Sequence, residues 1–156
     1  GGVSVGDADY IRDALNKIGK INFWKISIKP GRPLAYGKIG KSLFFGLPGN
    51  PVSAAVTFEL FVMPAINKIL GLKQKRRLII KAKTISEIRK KKGRVEYKRA
   101  YLTQNTKGSF VKISGLQGSN ILTSLSKANC YIRLSSNVSV VKKNSVVEVI
   151  PFSEKI

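Results

Sequence analysis

Two modules of different class are predicted for this 156-residue chain, an α/β segment over residues 1–72 and a small all-β module over residues 73–156. Three observations carry the division. Up to residue 72 the order is loop, helix, strand, loop, helix, the alternation of an α/β layer structure, with half of its sheet expected upstream of Gly1. From residue 78 onward, short β-branched runs are separated by Gly, Ser, Asn and Lys turns, the spacing of an all-β module. Charge divides unevenly as well: residues 1–72 hold 9 basic and 4 acidic side chains, and residues 73–156 hold 20 and 4.

The first element is a glycine-rich loop, Gly1-Gly-Val-Ser-Val-Gly6, leading to Asp7 as a helix N-cap. Ile11, Leu15 and Ile18 then recur at i, i+4 and i+7 as the apolar stripe of a helix that Gly19 stops. Between Ile21 and Ile28, Trp24, Ile26 and Ile28 alternate with Phe23, Lys25 and Ser27, the period of a strand. Lys29-Pro-Gly-Arg-Pro33 ends it as a rigid turn. Two short strands, Leu34–Tyr36 and Ser42–Phe45, follow about a Gly/Lys turn. Gly46-Leu-Pro-Gly-Asn-Pro51 opens an apolar helix ending near Leu70-Gly71, with Pro51 in the first turn, where a missing N–H costs nothing. Ser53, Thr57, Glu59, Asn67 and Lys68 interrupt that run, which marks a core helix and not a membrane span. In the second module, strands are expected at Leu78–Thr84, Arg94–Leu102, Ser109–Ser114, Tyr131–Leu134 and Val146–Ile150, with Arg89–Arg94 as a hairpin tip.

Composition narrows the chemistry. The chain has 29 Lys+Arg against 8 Asp+Glu, formally +21, with no histidine and one cysteine. A Ser-His-Asp triad and a histidine-liganded zinc are therefore excluded, and proton transfer falls to carboxylates, lysines or water. Cys130 alone builds neither a metal cluster nor an internal disulfide. With no secretory signal at Gly1, a reduced, cytoplasmic setting is the default. The missing initiator methionine and the start inside a glycine-rich stretch are those expected of a piece of a longer protein.

Four motifs bear on function. Gly1–Asp7 before a helix suits an anion cradle, because glycines let backbone N–H groups approach an oxyanion at a positive helix end; the same glycines suit a tight turn. Asp9, in the first helical turn, is placed either to hold a cation such as Mg²⁺ beside an anionic substrate or simply to complement the helix dipole. Lys25, Lys29 and Arg32 gather about two prolines, and cations on a turn of fixed shape bind an oxyanion without first losing rotamer freedom. Leu47-Pro-Gly-Asn-Pro51 fixes a strand-to-helix junction with the N–H groups of Gly49, Asn50 and Val52 near a helix start and Ser53 adding a hydroxyl; a stiff connector has the same composition. The run Arg89-Lys-Lys-Lys92-Gly-Arg94 suits phosphate neutralisation, but no Cys/His finger or RNP-type aromatics accompany it, so it reads as a solvated loop.

Taken in order, Gly-Gly-Val-Ser-Val-Gly-Asp-Ala-Asp-Tyr (1–10), Phe-Trp-Lys-Ile-Ser-Ile-Lys-Pro-Gly-Arg-Pro (23–33) and Gly-Leu-Pro-Gly-Asn-Pro-Val-Ser-Ala (46–54) resemble the molybdopterin molybdenumtransferases, the molybdenum insertases related to the gephyrin E domain. The resemblance continues more weakly through residues 93–99 and 118–129. It implies the C-terminal half of a molybdopterin-binding three-layer α/β domain followed by a β-barrel-like domain. It also implies insertion of molybdate into adenylylated molybdopterin, with Mg²⁺-dependent release of AMP. On matching positions, Asp9 would stand near the metal or adenylate, and of the catalytic cations Lys29 would lie at the oxyanion or pterin phosphate and Lys25 at the wall of the cleft. Ser4, Arg32, Pro33 and Ser53 would surround the oxyanion or pterin phosphate, and Pro48, Asn50 and Pro51 would shape the cleft. Arg99 and Ser124 would reach in from the second domain. Arg32 stands where the family more often has lysine, which keeps the charge but changes its geometry. The resemblance further implies a homodimer, a molybdopterin adenylyltransferase as partner, no membrane and no nucleic acid. It implies too a cleft completed by a partner subunit, so the chain alone is expected to be inactive.

Two other readings stand beside the enzyme. One is a gephyrin-like scaffold that binds a partner peptide, against which Asp9 and Lys29 speak. The other is a basic nucleic-acid-binding protein carried by the second module, which requires affinity that survives near physiological salt.

Overall fold

The computed structural model describes residues 8–73 and 77–152. The chain divides into two compact units, Gly1–Gln74 and Lys75–Ile156.

In the first unit, helix α1 (Ala8–Ile18) ends where the Gly19 N–H bonds to the Leu15 carbonyl at 2.9 Å, and the chain passes into strand β1 (Lys20–Lys25). The expected cap at Asp7 lies outside the described residues. After the short extended pair β2 (Ile28–Lys29), strands β3 (Pro33–Ile39) and β4 (Ser42–Gly46) complete an antiparallel sheet in the order β1-β3-β4. The first strand is shorter than its alternating pattern predicts. Past Lys25 the Ile26 N–H turns to the Arg32 carbonyl at 2.7 Å, which takes the backbone out of the ladder. Gly40, at φ +57°, makes the β3–β4 turn.

The apolar run then forms α2 (Pro51–Thr57), a π-helical turn (Phe58–Val62) and α3 (Met63–Ile69). The π turn has a local cause in Pro64. Proline offers no N–H to the carbonyl four residues back and its ring crowds that carbonyl, so the helix widens: the Met63 N–H bonds to the Phe58 carbonyl, five residues away. By length and composition, residues 51–69 are apolar enough to cross a membrane. In the structure Val52, Ser53, Val56, Thr57 and Val62 are buried.

The second unit is a closed five-stranded barrel. Strands β5 (Ile80–Thr84), β7 (Val95–Asn105), β8 (Gly108–Ile113), β9 (Cys130–Leu134) and β11 (Val146–Pro151) run in the ring order β7-β8-β5-β11-β9, and β9 pairs back onto β7. The β5–β8 pair is parallel and the other four pairs are antiparallel. Alternation along each strand turns Ala82, Ala100, Val111, Cys130, Ile132, Leu134, Val147 and Val149 into one apolar core with Ile88. The first strand starts two residues later than expected, leaving Leu78 and Ile79 exposed. A two-stranded ribbon, β6 (Ile88–Arg89) with β10 (Val140–Val141), and a single helical turn, α4 (Thr123–Ser126), add to the predicted elements. Residues 90–94 are not a hairpin tip. They connect β6 to β7, which do not pair, and the Gly93 N–H is tied to the Ser136 carbonyl at 2.8 Å.

Burial pushes the Cys130 thiol up to about 12. Its neutral form contributes stability below the ordinary thiol pKa of about 8.5, and that contribution is lost as pH rises from there toward the folded value. Native protein at pH 8 is therefore expected to resist a thiol-labelling reagent that reacts fully in denaturant, and urea midpoints should fall between pH 8 and 10 in the native chain but less in Cys130→Ala. Ile132→Ala, at a fully buried position, should lower unfolding free energy by about 2–5 kcal/mol in a urea titration.

Candidate functional site

In the first unit two sequence motifs meet through packing. The Lys29–Pro30 peptide is cis, Pro30 and Gly31 are buried, and Lys29 and Arg32 are exposed on either side of them. Gly31 has φ +99°, a conformation that L side chains rarely adopt. A Cβ there would also stand 2.5 Å from Thr57 Cγ2 on α2, so no side chain fits between turn and helix. The Ser53 carbonyl lies 3.5 Å from the same point and accepts a hydrogen bond from Thr57 Oγ1 at 2.8 Å. A second contact from Thr57 Oγ1 reaches the Ala54 carbonyl at 3.1 Å. The turn is thus seated on the first two turns of the helix, with its base closed by Ile26 and Arg32. Lys25, also exposed, pairs in register with Pro33 at the start of β3.

The other approach to the helix is stiff too. Pro48 is buried, Asn50 has extended backbone with its carbonyl accepting from the Ala54 N–H at 2.9 Å, and Pro51 occupies the first helical position. Asn50 makes no side-chain cap. Ser53 is buried, and it is its carbonyl that approaches the seated turn. Asp9 lies in the first turn of α1, and Ser4 lies outside the described residues. Sequence reasoning missed Thr57, although a threonine four residues after Ser53 in an apolar helix is a known pattern for bonding back to a carbonyl.

In the second unit the two candidates, Arg99 and Ser124, touch each other. Arg99 is among the largest fully buried side chains, and its Nε donates to Ser124 Oγ at 3.0 Å. Its Nη2 donates to the carbonyls of Leu116 at 3.1 Å and Gly118 at 2.9 Å. Ser124 Oγ in turn donates to the Ile121 carbonyl at 2.7 Å. Burial lowers the Arg99 pKa from its ordinary value, and the nearby Tyr131 and Glu96 oppose that shift. Within the second unit this guanidinium braces residues 116–124 against β7.

Two side-chain amides that no motif singled out finish the arrangement. Gln117 Oε1 accepts from the Arg99 N–H at 2.9 Å while its Nε2 donates to the Arg99 carbonyl at 3.1 Å and the Ser114 carbonyl at 2.9 Å. Asn129 does the same at Leu102, accepting from its N–H at 2.7 Å and donating to its carbonyl at 3.0 Å. Each amide stands in for a ladder partner where β7 leaves one neighbouring strand.

The comparisons agree for both units. Residues 1–68 match the family described as a probable molybdopterin binding domain, and residues 81–152 match the MoeA C-terminal region, domain IV. The chain is 43% identical over 155 residues to the molybdopterin molybdenumtransferase of Haemophilus influenzae, covering 98% of this chain and 38% of that protein. It is 34% identical to gephyrin of Dictyostelium discoideum, over 96% of this chain and 24% of that one. A crystal structure of the molybdopterin biosynthesis moeA protein of Pyrococcus horikoshii superposes with a TM-score of 0.71 at 29% identity, over 90% of this chain and 34% of that one. The chain therefore spans just over a third of the length of the molybdenumtransferase it matches. Both units are thus matched in order and the fold is shared: the chain is similar throughout to part of the molybdopterin molybdenumtransferases, with a molybdopterin-binding-type domain followed by a MoeA C-terminal region.

Proposed function

We propose that the chain acts in molybdenum cofactor biosynthesis, as part of an enzyme that inserts molybdate into adenylylated molybdopterin and releases AMP. The observation that supports this most is the seated turn: two exposed cations, Lys29 and Arg32, flank a buried Pro30–Gly31 pair that the helix holds in place. Molybdate is a dianion and the nucleotide carries phosphates, so fixed cations reduce the charge repulsion of bringing them together without reorganising at the moment of reaction. In this reading Lys29 and Lys25 stabilise charge that develops as the oxyanion approaches. Arg32 and Pro33 hold the phosphate or oxyanion, joined by Ser4 of the glycine-rich segment. Pro48, Asn50 and Pro51 shape the wall, and Ser53 acts from within it by supporting the turn. Arg99 and Ser124 serve by holding their loop in shape.

Among the described residues no group of three His, Cys, Asp or Glu side chains gathers, so those residues form no cage of protein ligands for Mg²⁺. The fit is of the other kind that Mg²⁺ accepts, one carboxylate together with substrate phosphates and water. Asp9 is that carboxylate, and bound Mg²⁺ would neutralise phosphate charge there. The same reading has the protein working in the cytoplasm as a homodimer and receiving its substrate from a molybdopterin adenylyltransferase.

Asp9→Asn in the longer protein should abolish molybdate-dependent AMP release; unchanged cofactor production would overturn its role. Lys29→Ala should lower kcat/KM about a hundredfold or more while leaving the melting temperature in place, as measured by AMP release and thermal unfolding. Arg99→Ala should behave in the opposite sense, losing about 3 kcal/mol or more of stability because the carbonyls of Leu116 and Gly118 and the Ser124 hydroxyl each lose a charged hydrogen-bond partner. The 156-residue chain alone should show no turnover.

A further inference from the structure

The cationic run that the transfer reaction leaves unused has a defined arrangement. Among the described residues of the second unit, every carboxylate is already in an ion pair: Glu87 with Arg89, Glu96 with Lys98, and Glu148 with Lys81 and Arg133. Lysines and arginines far outnumber these carboxylates, so the unit carries a large excess of positive charge.

Two turns collect much of it, and both are braced. In the first, Lys90 is turned inward, its Nζ donating to the carbonyls of Ser135 at 3.0 Å and Val138 at 3.1 Å. Gly93, at φ +107°, is tied to Ser136, and Lys91, Lys92 and Arg94 are left exposed on the turn so formed. In the second, buried Thr84 donates through Oγ1 to the Lys142 carbonyl at 3.1 Å, and its own carbonyl accepts from the Asn144 N–H at 2.8 Å. Exposed Lys142 and Lys143 project from that turn.

The β6–β10 ribbon joins the two. Arg89 pairs with Val140 and Ile88 with Val141, so residues 91–94 and 142–143 lie at opposite ends, about 15 Å apart at about 3.4 Å per residue. On and beside the ribbon are two exposed aliphatic side chains, Val140 and Ile85. Cations at the rim around aliphatic residues match the anatomy of a protein interface, where charge complementarity steers association. Neither turn carries an aromatic ring for stacking bases, and four of the five cations are lysines, which lack the planar fork used to read base edges.

We propose that this face docks an acidic partner protein, one presenting carboxylates around an aliphatic spot. The inference stands on the second unit alone and is independent of the transfer reaction. The test compares two charge-matched variants of the whole chain, K91Q/K92Q/R94Q/K142Q/K143Q and, as control, K17Q/K41Q/K68Q/K107Q/K127Q. Binding is measured to a random glutamate/leucine copolymer, to polyglutamate, to duplex DNA and to phosphatidylserine vesicles at several salt concentrations. The first variant should lose at least about tenfold in copolymer affinity and the control no more than about threefold. Val140→Ser should weaken copolymer binding while leaving polyglutamate binding in place. Equal losses in the two variants would show a diffuse field and overturn the site. A larger site-specific loss for DNA or vesicles than for the copolymer would show that the face reads phosphate, and would overturn the choice of partner. Val140→Ser without effect on the copolymer would remove the aliphatic contact on which that choice rests.

Discussion

Arg99 is the residue on which the second unit's architecture converges. Its side chain is fully buried, and taking a guanidinium out of water is unfavourable unless its donors are met. They are met by the carbonyls of Leu116 and Gly118 and by the hydroxyl of Ser124. The peptide groups on either side of its Cα are held in addition by the amide of Gln117. One residue therefore fastens a stretch from Ser114 to Ser124 that has almost no regular backbone pairing of its own. The single turn α4 exists because its start is gripped in this way.

A comparable economy operates in the first unit with different means. There the constraint is steric: a glycine at positive φ is pressed against a threonine methyl, and the threonine hydroxyl closes onto the helix backbone. Packing of the middle of the turn leaves its charged ends outside. Lys29 and Arg32 owe their placement to two neighbours, Pro30 and Gly31, that carry no charge. A turn can in this way be rigid in its middle while the charged residues at its ends stay exposed to solvent.

The elements that rest on periodicity were legible in the sequence: the strands of the barrel, the long apolar helix and the helix before Gly19. Their ends were less so, because ends depend on partners. Ile26 and Ile28 continue the alternation of β1, yet the Ile26 N–H is taken by Arg32, and nothing in a period-two pattern announces that. The π turn followed from Pro64 but needed the helix to be in view. In the candidate site, Lys29, Arg32 and the prolines could be found because they are clustered and unusual. Arg99 could be found too, but its inward direction depends on contacts with Leu116, Gly118 and Ser124, which lie 17, 19 and 25 residues away in the sequence. Gln117 and Asn129 carry no local signal, since an amide that replaces a strand partner is recognisable only once the strand is in place.

The order of strands around the barrel has a consequence for biosynthesis. The strand formed first on the ribosome, β5, is bordered by β8 and by β11, and Ile80 finds its partner in Val149 near the other end of the unit. A nascent chain that has emerged as far as residue 134 has four of the five staves with a seam open between β5 and β9. Contacts so distant in sequence form slowly, and exposed strand edges attract other chains. Closure of the unit thus waits for the last strand to leave the exit tunnel, and until then the open seam is a surface that the cell's chaperones would have to shield.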